Sequence, residues 1–243
     1  MIEARALRKR FGAVTAVNDV SFVARDGAIT GLVGPNGAGK STTLRMLYTV
    51  LRPDAGSAKI DGIDVNEDPI GARGRLGVLP HAAGLYPNLT GRENIRYFGA
   101  LHGLDPAALE GRVDELVRLL DLGTVADRRA KGFSQGERVK VAIARALVHA
   151  PRNLILDEPT NGLDVMSIRT LRELLRRLRD AGTCILFSSH VMQEVSALCD
   201  TAIVIGHGRV LAQGTLDVVR SQAGADNLED AFVALLARAP EIG

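Results

Sequence analysis

One stretch constrains this chain more than any other. Gly34-Pro35-Asn36-Gly37-Ala38-Gly39-Lys40-Ser41, continuing into Thr42, fits the pattern G-x-x-x-x-G-K-[ST]. Ahead of it, Ile29 to Val33 reads as a short buried strand. Behind it the period changes, and Leu44, Leu47, Tyr48 and Leu51 fall at helical spacing until Pro53 stops the helix. Glycines let the backbone curl so that several N–H groups aim at one anion, and the helix N-terminus adds its positive dipole end. Lys40 then supplies charge for a β- and γ-phosphate. The Ser41 hydroxyl suits Mg²⁺, a hard cation that prefers oxygen. A glycine-rich turn with a chance Lys-Ser is the plainer reading, but three glycines in register and both flanking elements weigh against it.

A second acidic signal lies far along the chain. Leu154-Ile155-Leu156-Asp157-Glu158 places two carboxylates at the C-terminal end of a buried strand, the edge where parallel sheets gather their ligands. Asp157 is expected to hold Mg²⁺ and Glu158 to act as general base on an attacking water. A lone Asp-Glu is commonly just a pair of solvated acids. A phosphate loop upstream makes that reading weaker here.

The remaining patterns set out the organisation. Val20 to Ala24 reads as a strand, Asp61-Gly62 as the turn of a hairpin within Ser57 to Val65, and Leu76 to Leu79 as a strand. The stretch from about Thr90 to Ala150 is helical. Thr90 to Glu93 and Ser134 to Glu137 are capping boxes, and Asp105-Pro106 opens a helix whose apolar stripe runs Leu109, Val113, Leu116, Leu120. After Pro151, strands at Leu154 to Leu156, Thr183 to Phe187 and Ala202 to Ile205 alternate with helices, and two helices near Leu216 and Leu228 to Leu236 end the sequence. This alternation implies an α/β fold with a parallel sheet covered on both faces. A single domain over 1–243 is expected: a core with a β subdomain at about 1–84 and 151–243, and a helical subdomain at about 85–150.

Composition excludes several classes. With 30 basic and 28 acidic residues the formal charge is +2, which gives no support to binding nucleic acid through a basic face. Two cysteines, Cys184 and Cys199, make no disulfide framework and no metal spacing. Met1 to Arg5 shows no signal-peptide pattern, and no apolar run approaches the roughly 18 residues of a membrane span.

Taken with the phosphate loop and the acidic strand, further short motifs make the chain resemble the ATP-binding-cassette ATPases of the P-loop NTPase fold. Phe133-Ser134-Gln135-Gly136-Glu137 resembles the signature sequence of that family. Asn161-Gly162-Leu163-Asp164 resembles its D-loop, and Ser189-His190 its switch-histidine segment. Phe11 matches the aromatic residue that stacks on adenine. The motifs occur in order over nearly the whole chain. The segment Leu79 to Thr90 and the tail Asn227 to Leu236 are similar to the ATPase subunits of bacterial ABC-2-type exporters, most of all the sodium-efflux type.

The resemblance implies a cofactor set of ATP and Mg²⁺ and a homodimer sandwiching two ATP molecules. It also implies a separate integral membrane permease, with this subunit on the cytoplasmic face of the membrane and docking near Ala82 to Leu89. Leu85, Tyr86 and Leu89 are candidate anchors, or else they simply tie the helical insertion to the core. Ser134 and Gly136 of one copy are implied to meet the γ-phosphate held by the other, and Asp164 to contribute at the same interface. His190 is implied to touch the γ-phosphate and the water near Glu158. Ser134 also reads as a plain N-cap, and both readings stand together.

Two segments depart from the family pattern, the one at His81 and the signature, where Gln135 and Glu137 stand in place of the usual Gly and Gln. Leu79-Pro80-His81 offers His81 where the family has Gln, and imidazole is a poorer Mg²⁺ ligand than an amide oxygen. Glu137 stands where Gln is usual, and would repel a phosphate unless its side chain turns back onto the Ser134 N–H. A soluble relative acting on ribosomes or DNA is the rival reading. It is disfavoured by the short gap between phosphate loop and signature and by the lack of coiled-coil heptads or cysteine clusters. A P-loop GTPase or kinase would lack the signature, D-loop and switch histidine.

Overall fold

The structure is a computed structural model and describes residues 1–82 and 84–238. The last five positions of the expected 1–243 domain, and Ala83 within the expected docking segment, lie outside the described residues. The chain opens with β1 (Ile2–Phe11) and β2 (Val14–Ala24), then β3 (Ile29–Val33) and α1 (Lys40–Leu47). β4 (Ala55–Ile60), β5 (Ile63–Asp64), α2 (Pro69–Gly74) and β6 (Leu76–Leu79) follow. Next come α3 (Gly91–Leu101), α4 (Pro106–Leu119), a 3-10 turn at Ala130–Gly132 and α5 (Gln135–Leu147). β7 (Asn153–Asp157), α6 (Val165–Asp180), β8 (Cys184–Ser189), α7 (Met192–Leu198), β9 (Thr201–Gly206), β10 (Arg209–Thr215), α8 (Leu216–Ala223) and α9 (Leu228–Ala237) complete the order.

These strands form two sheets. One is antiparallel in the order β2-β1-β4-β5, and the other runs β10-β9-β3-β8-β7-β6. Within the second, β9, β3, β8, β7 and β6 are mutually parallel, and β10 is an antiparallel edge on β9. The central strands are buried on both faces, and their side chains alternate between two cores. Leu154, Leu156, Ile185, Phe187 and Val204 face the core shared with the helices. Ile155, Leu186, Ile203 and Ile205 face the core shared with β1, β2 and α1. This two-sided burial is why the strands read as unbroken apolar runs rather than alternating patterns. Truncating the fully buried Phe187 to Ala would cost about 3–5 kcal/mol.

The hairpin turn stands as expected: Asp61 and Gly62 both have positive φ, at 49° and 82°, between antiparallel β4 and β5. So do the capping boxes, in which Thr90 and Ser134 each exchange hydrogen bonds with the Glu three residues on. Two readings need correction. The first helix stops at Leu47, not at Pro53, because Thr49 turns left-handed at φ 65° and the Val50 and Leu51 amides fold back onto the Arg45 carbonyl, both at 3.0 Å. β1 had no counterpart in the sequence reading, and β2 begins six residues before Val20. Both strands carry a residue at positive φ, Ala6 at 49° and Asp19 at 64°, and their pairing register shifts there. Such bulges break the period of two on which a strand signature rests.

Candidate functional site

The phosphate loop joins β3 to α1 at the C-terminal edge of the parallel sheet. Its glycines have steric reasons. Gly39 sits at φ 99°, and a Cβ there would lie 2.5 Å from the Ala16 carbonyl oxygen; at Gly34 a Cβ would lie 2.3 Å from that of Ile205. Lys40 begins the helix, and its side chain bends back into the loop. Its ammonium donates to the Gly34 and Pro35 carbonyls at 2.7 and 3.1 Å. Burial pushes its pKa down, while Glu158 and Asp157 oppose that shift.

The two carboxylates at the end of β7 have different surroundings. Asp157 is 1% exposed. Its Oδ1 accepts from Ser188 at 2.7 Å and from Ser41 at 3.3 Å, whereas its buried Oδ2 has no hydrogen-bond partner. A buried carboxylate oxygen without a donor is costly. Asp157 and Ser41 together form a hard oxygen set, so these residues fit Mg²⁺. Glu158 holds φ at 51°, a strained value for a residue with a Cβ. Its amide donates to the Ser188 hydroxyl at 2.9 Å, which locks the turn.

The Glu158 carboxylate lies 3.2 Å from His190 Nδ1, 3.7 Å from Lys40 Nζ and 4.0 Å from His81 Nδ1. These four side chains share one open cleft of about 750 Å³ with Asn36, Gly37, Gly39, Ser41, Thr42 and Phe11. The phosphate loop, the β7 acids, His81, His190 and Phe11 are therefore brought together from separate parts of the chain. Phe11 is half exposed at the edge of the cleft, with the Lys9 ammonium 5.9 Å from its ring centroid.

The other expected residues lie elsewhere on the chain. Ser134 caps α5, outside the walls of its own cleft, and Gly136 packs near Ser167 and Leu163. Glu137 turns back as expected: it accepts from the Ser134 amide at 2.7 Å and from Arg128 at 2.8 Å, and both contacts hold its carboxyl below the usual range. Asp164 caps α6 by accepting from the Ser167 amide at 2.8 Å and hydroxyl at 3.0 Å. Leu85 is half buried against the core, whereas Tyr86 is exposed and stacks edge-on against Tyr97.

Ser188 escaped the sequence reading, although it fixes both acids. Its signal was a hydroxyl ending an otherwise apolar run, beside Ser189-His190. Arg45 also lines the cleft and carries no such signal, whereas Asn161, another wall of the cleft, opens the segment that resembles the D-loop.

The chain is similar to known proteins. The model of the family described as ABC transporter matches residues 17–161. The ABC transporter ATP-binding protein NatA of Bacillus subtilis (strain 168) is 42% identical, over 93% of this chain and 92% of that protein. The daunorubicin/doxorubicin resistance ATP-binding protein DrrA of Streptomyces peucetius is 40% identical, over 93% of this chain and 69% of that one. A solved ATP binding subunit of an ABC transporter superposes with a TM-score of 0.89 at 33% identity, covering 97% of this chain and 99% of the other.

Proposed function

Because the chain belongs to the ABC transporter family, as an ATP-binding, ATP-hydrolysing subunit of the exporter type, we propose that two copies close head to tail around two molecules of Mg-ATP to drive export through a separate membrane subunit. The observation that carries this reading is the position of one carboxylate, Glu158, between His190 and Lys40 at the mouth of the phosphate loop.

The chemistry follows from that position. The loop amides and Lys40 bind the phosphates and spread their charge. Asp157 and Ser41 would hold Mg²⁺. When bound, the ion neutralises charge that develops on the phosphate oxygens. Glu158 accepts the proton of the attacking water, and His190, bonded to it, fixes its orientation. His81 faces the other oxygen of the same carboxylate and acts as a nucleotide sensor in place of the family's amide.

Ser134 serves the neighbouring copy's phosphate: it does not wall its own cleft, although Gln135 beside it lines the adjoining pocket next to His81 and Glu158. Asp164, at the start of α6, stands at the same interface. ATP contacts across that interface favour the closed pair, and hydrolysis reopens it, which is a population shift driven by differential contacts. Among the described residues no helix is long and apolar enough to cross a membrane, and the proposal gives the pore to the partner. Docking is proposed at the segment following His81, with Tyr86 as the exposed anchor. This places the subunit at the cytoplasmic membrane face, and no nucleic-acid partner is invoked. The similarity to the sodium-efflux type makes sodium the first cargo to test.

Glu158→Gln is the test. The variant is expected to retain ATP binding, lose at least about 100-fold in turnover and accumulate as a dimer with ATP in size-exclusion chromatography. Wild-type turnover would overturn the assignment of the base.

A further inference from the structure

A buried acid outside the cleft is left unexplained by this chemistry. Glu194, on α7, is 8% exposed, and its partners are two hydroxyls rather than a cation. One oxygen, Oε2, accepts from Thr160 Oγ1 at 2.7 Å and from Ser189 Oγ at 2.9 Å. The Ser189 hydroxyl in turn accepts from the Val191 amide at 3.0 Å. Thr160 and Ser189 are themselves buried, at 9% and 2% exposure.

These two hydroxyls stand at informative places. Thr160 lies two residues after Glu158, in the turn closed by the Asn161 amide on the Glu158 carbonyl at 3.2 Å. Ser189 immediately precedes His190. Glu158 and His190 meet at 3.2 Å through side chains that are otherwise carried by separate strands, β7 and β8. A carboxylate is a demanding group to bury, and a pair of hydroxyls offsets its lost hydration only in part. Two apolar side chains would pack the same gap without that cost. What the acid adds is direction: one oxygen with two fixed donors ties both loops to a single point.

We propose that Glu194 is a positioning residue for hydrolysis, whose carboxylate, by holding Thr160 and Ser189, sets the separation of Glu158 and His190. The inference rests on the reading of Glu158 and His190 as the hydrolytic pair. Glu194 touches neither nucleotide nor water, so its loss lowers turnover and leaves nucleotide binding, made by the phosphate loop, in place. An amide retains a carbonyl oxygen able to accept both hydroxyls, so glutamine preserves most of the function.

The experiment compares Glu194→Ala, Glu194→Gln, His190→Ala, the double variant Glu194→Ala/His190→Ala and Glu158→Gln in the full chain, reading kcat, KM for Mg-ATP and thermal midpoint. Glu194→Ala is expected to lower kcat roughly 10- to 100-fold, the scale of a misplaced reacting group, with KM within about twofold and Glu194→Gln recovering to within about threefold of wild type. In the His190→Ala background the Glu194→Ala loss should largely vanish, because residues that act through one another are not additive. Thr160→Val, which removes one donor at constant volume, is read in the same way if Glu194→Ala does not fold. A Glu194→Ala enzyme with wild-type kcat overturns the proposal, as does full additivity with His190→Ala. If Glu158→Gln itself hydrolyses ATP normally, the underlying reading of the pair fails instead, which separates the two failures.

Discussion

At the scale of single residues, the site depends on a few side chains whose neighbours force them into place. Ser188 is the clearest case. Its hydroxyl donates to Asp157 and accepts from the Glu158 amide, so it holds both a cation ligand and a strained turn. Ser188→Ala leaves the buried Asp157 Oδ1 only the longer Ser41 contact and removes the partner of the Glu158 amide. It is expected to lower folding stability by about 1–3 kcal/mol in urea denaturation, and to weaken the Mg²⁺ dependence of hydrolysis. Lys40→Ala belongs to the same scale. The buried ammonium bends back onto the loop carbonyls, and it must trade those bonds for phosphate oxygens. The loss of charge-assisted contacts, each worth about 1.5–3 kcal/mol, should weaken ATP affinity at least tenfold in a fluorescent-nucleotide titration. The lysine, the glycines and the two acids were legible in the sequence because spacing alone announces them. Ser188 was not, because its role depends on which strand lies beside β7.

Among the elements, α5 has two tasks. Its capping box satisfies orphan N–H groups at the N-terminus and holds the Glu137 carboxylate on the Ser134 amide and against Arg128. Farther along the same helix, Arg145 stacks 4.5 Å over Phe98 and donates to the Gly84 carbonyl at 3.0 Å. One rigid element thus joins the signature end to the segment proposed for docking. Ser134→Ala removes the cap and should cost about 1 kcal/mol in denaturant unfolding. Hydrolysis is expected to fall further than that, while the ATP affinity of the isolated monomer stays unchanged, because Ser134 serves the opposite copy. Equal loss of affinity in the monomer would place Ser134 in its own site. Sequence periodicity located α3, α4 and α5 well, since caps and apolar stripes are local properties. It missed β1 and the start of β2, since a bulge removes the alternation that marks a strand.

For the whole molecule, the question is how the helical segment and the sheet hold one another. His102 follows α3 and His149 follows α5, and their rings stack at 3.7 Å with planes 5° apart. His149 Nε2–H donates to the Leu76 carbonyl of β6 at 3.2 Å, while its buried Nδ1 has no partner. Burial, with His102 and Arg112 adding repulsion, pushes its pKa down to about 4. The folded state therefore binds fewer protons than the unfolded chain between about pH 6.5 and 4. Stability contributed by the neutral ring is present above the unfolded pKa and is lost as pH falls through that window. Unfolding measured at pH 7.5 and pH 5 should show a loss on the order of 1–2 kcal/mol in the wild type. His149→Phe, which keeps a flat ring and drops the titration, should show a smaller one. An equal pH dependence in both would remove His149 from the account. Docking is tested at this scale too. Tyr86→Ala should leave ATP hydrolysis by the purified chain intact and reduce recovery of a membrane partner from detergent-solubilised host membranes. Undiminished recovery would move the docking surface elsewhere.

The sequence by itself determined the phosphate loop, the acids at the end of β7, the helix caps and the alternation that makes an α/β fold, because each is a matter of local spacing, period or steric permission. Only the tertiary structure decided which of these meet. Parallel pairing of β3, β8 and β7 brings Lys40, His190 and Glu158 to one sheet edge, although Lys40 lies more than 100 positions before the other two. It also seats Ser188 under both acids, draws Glu194 between two loops and leaves Ser134 outside its own cleft. Strand order and register are set by long-range pairing and by burial on both faces of the sheet, and no local window of sequence carries that information.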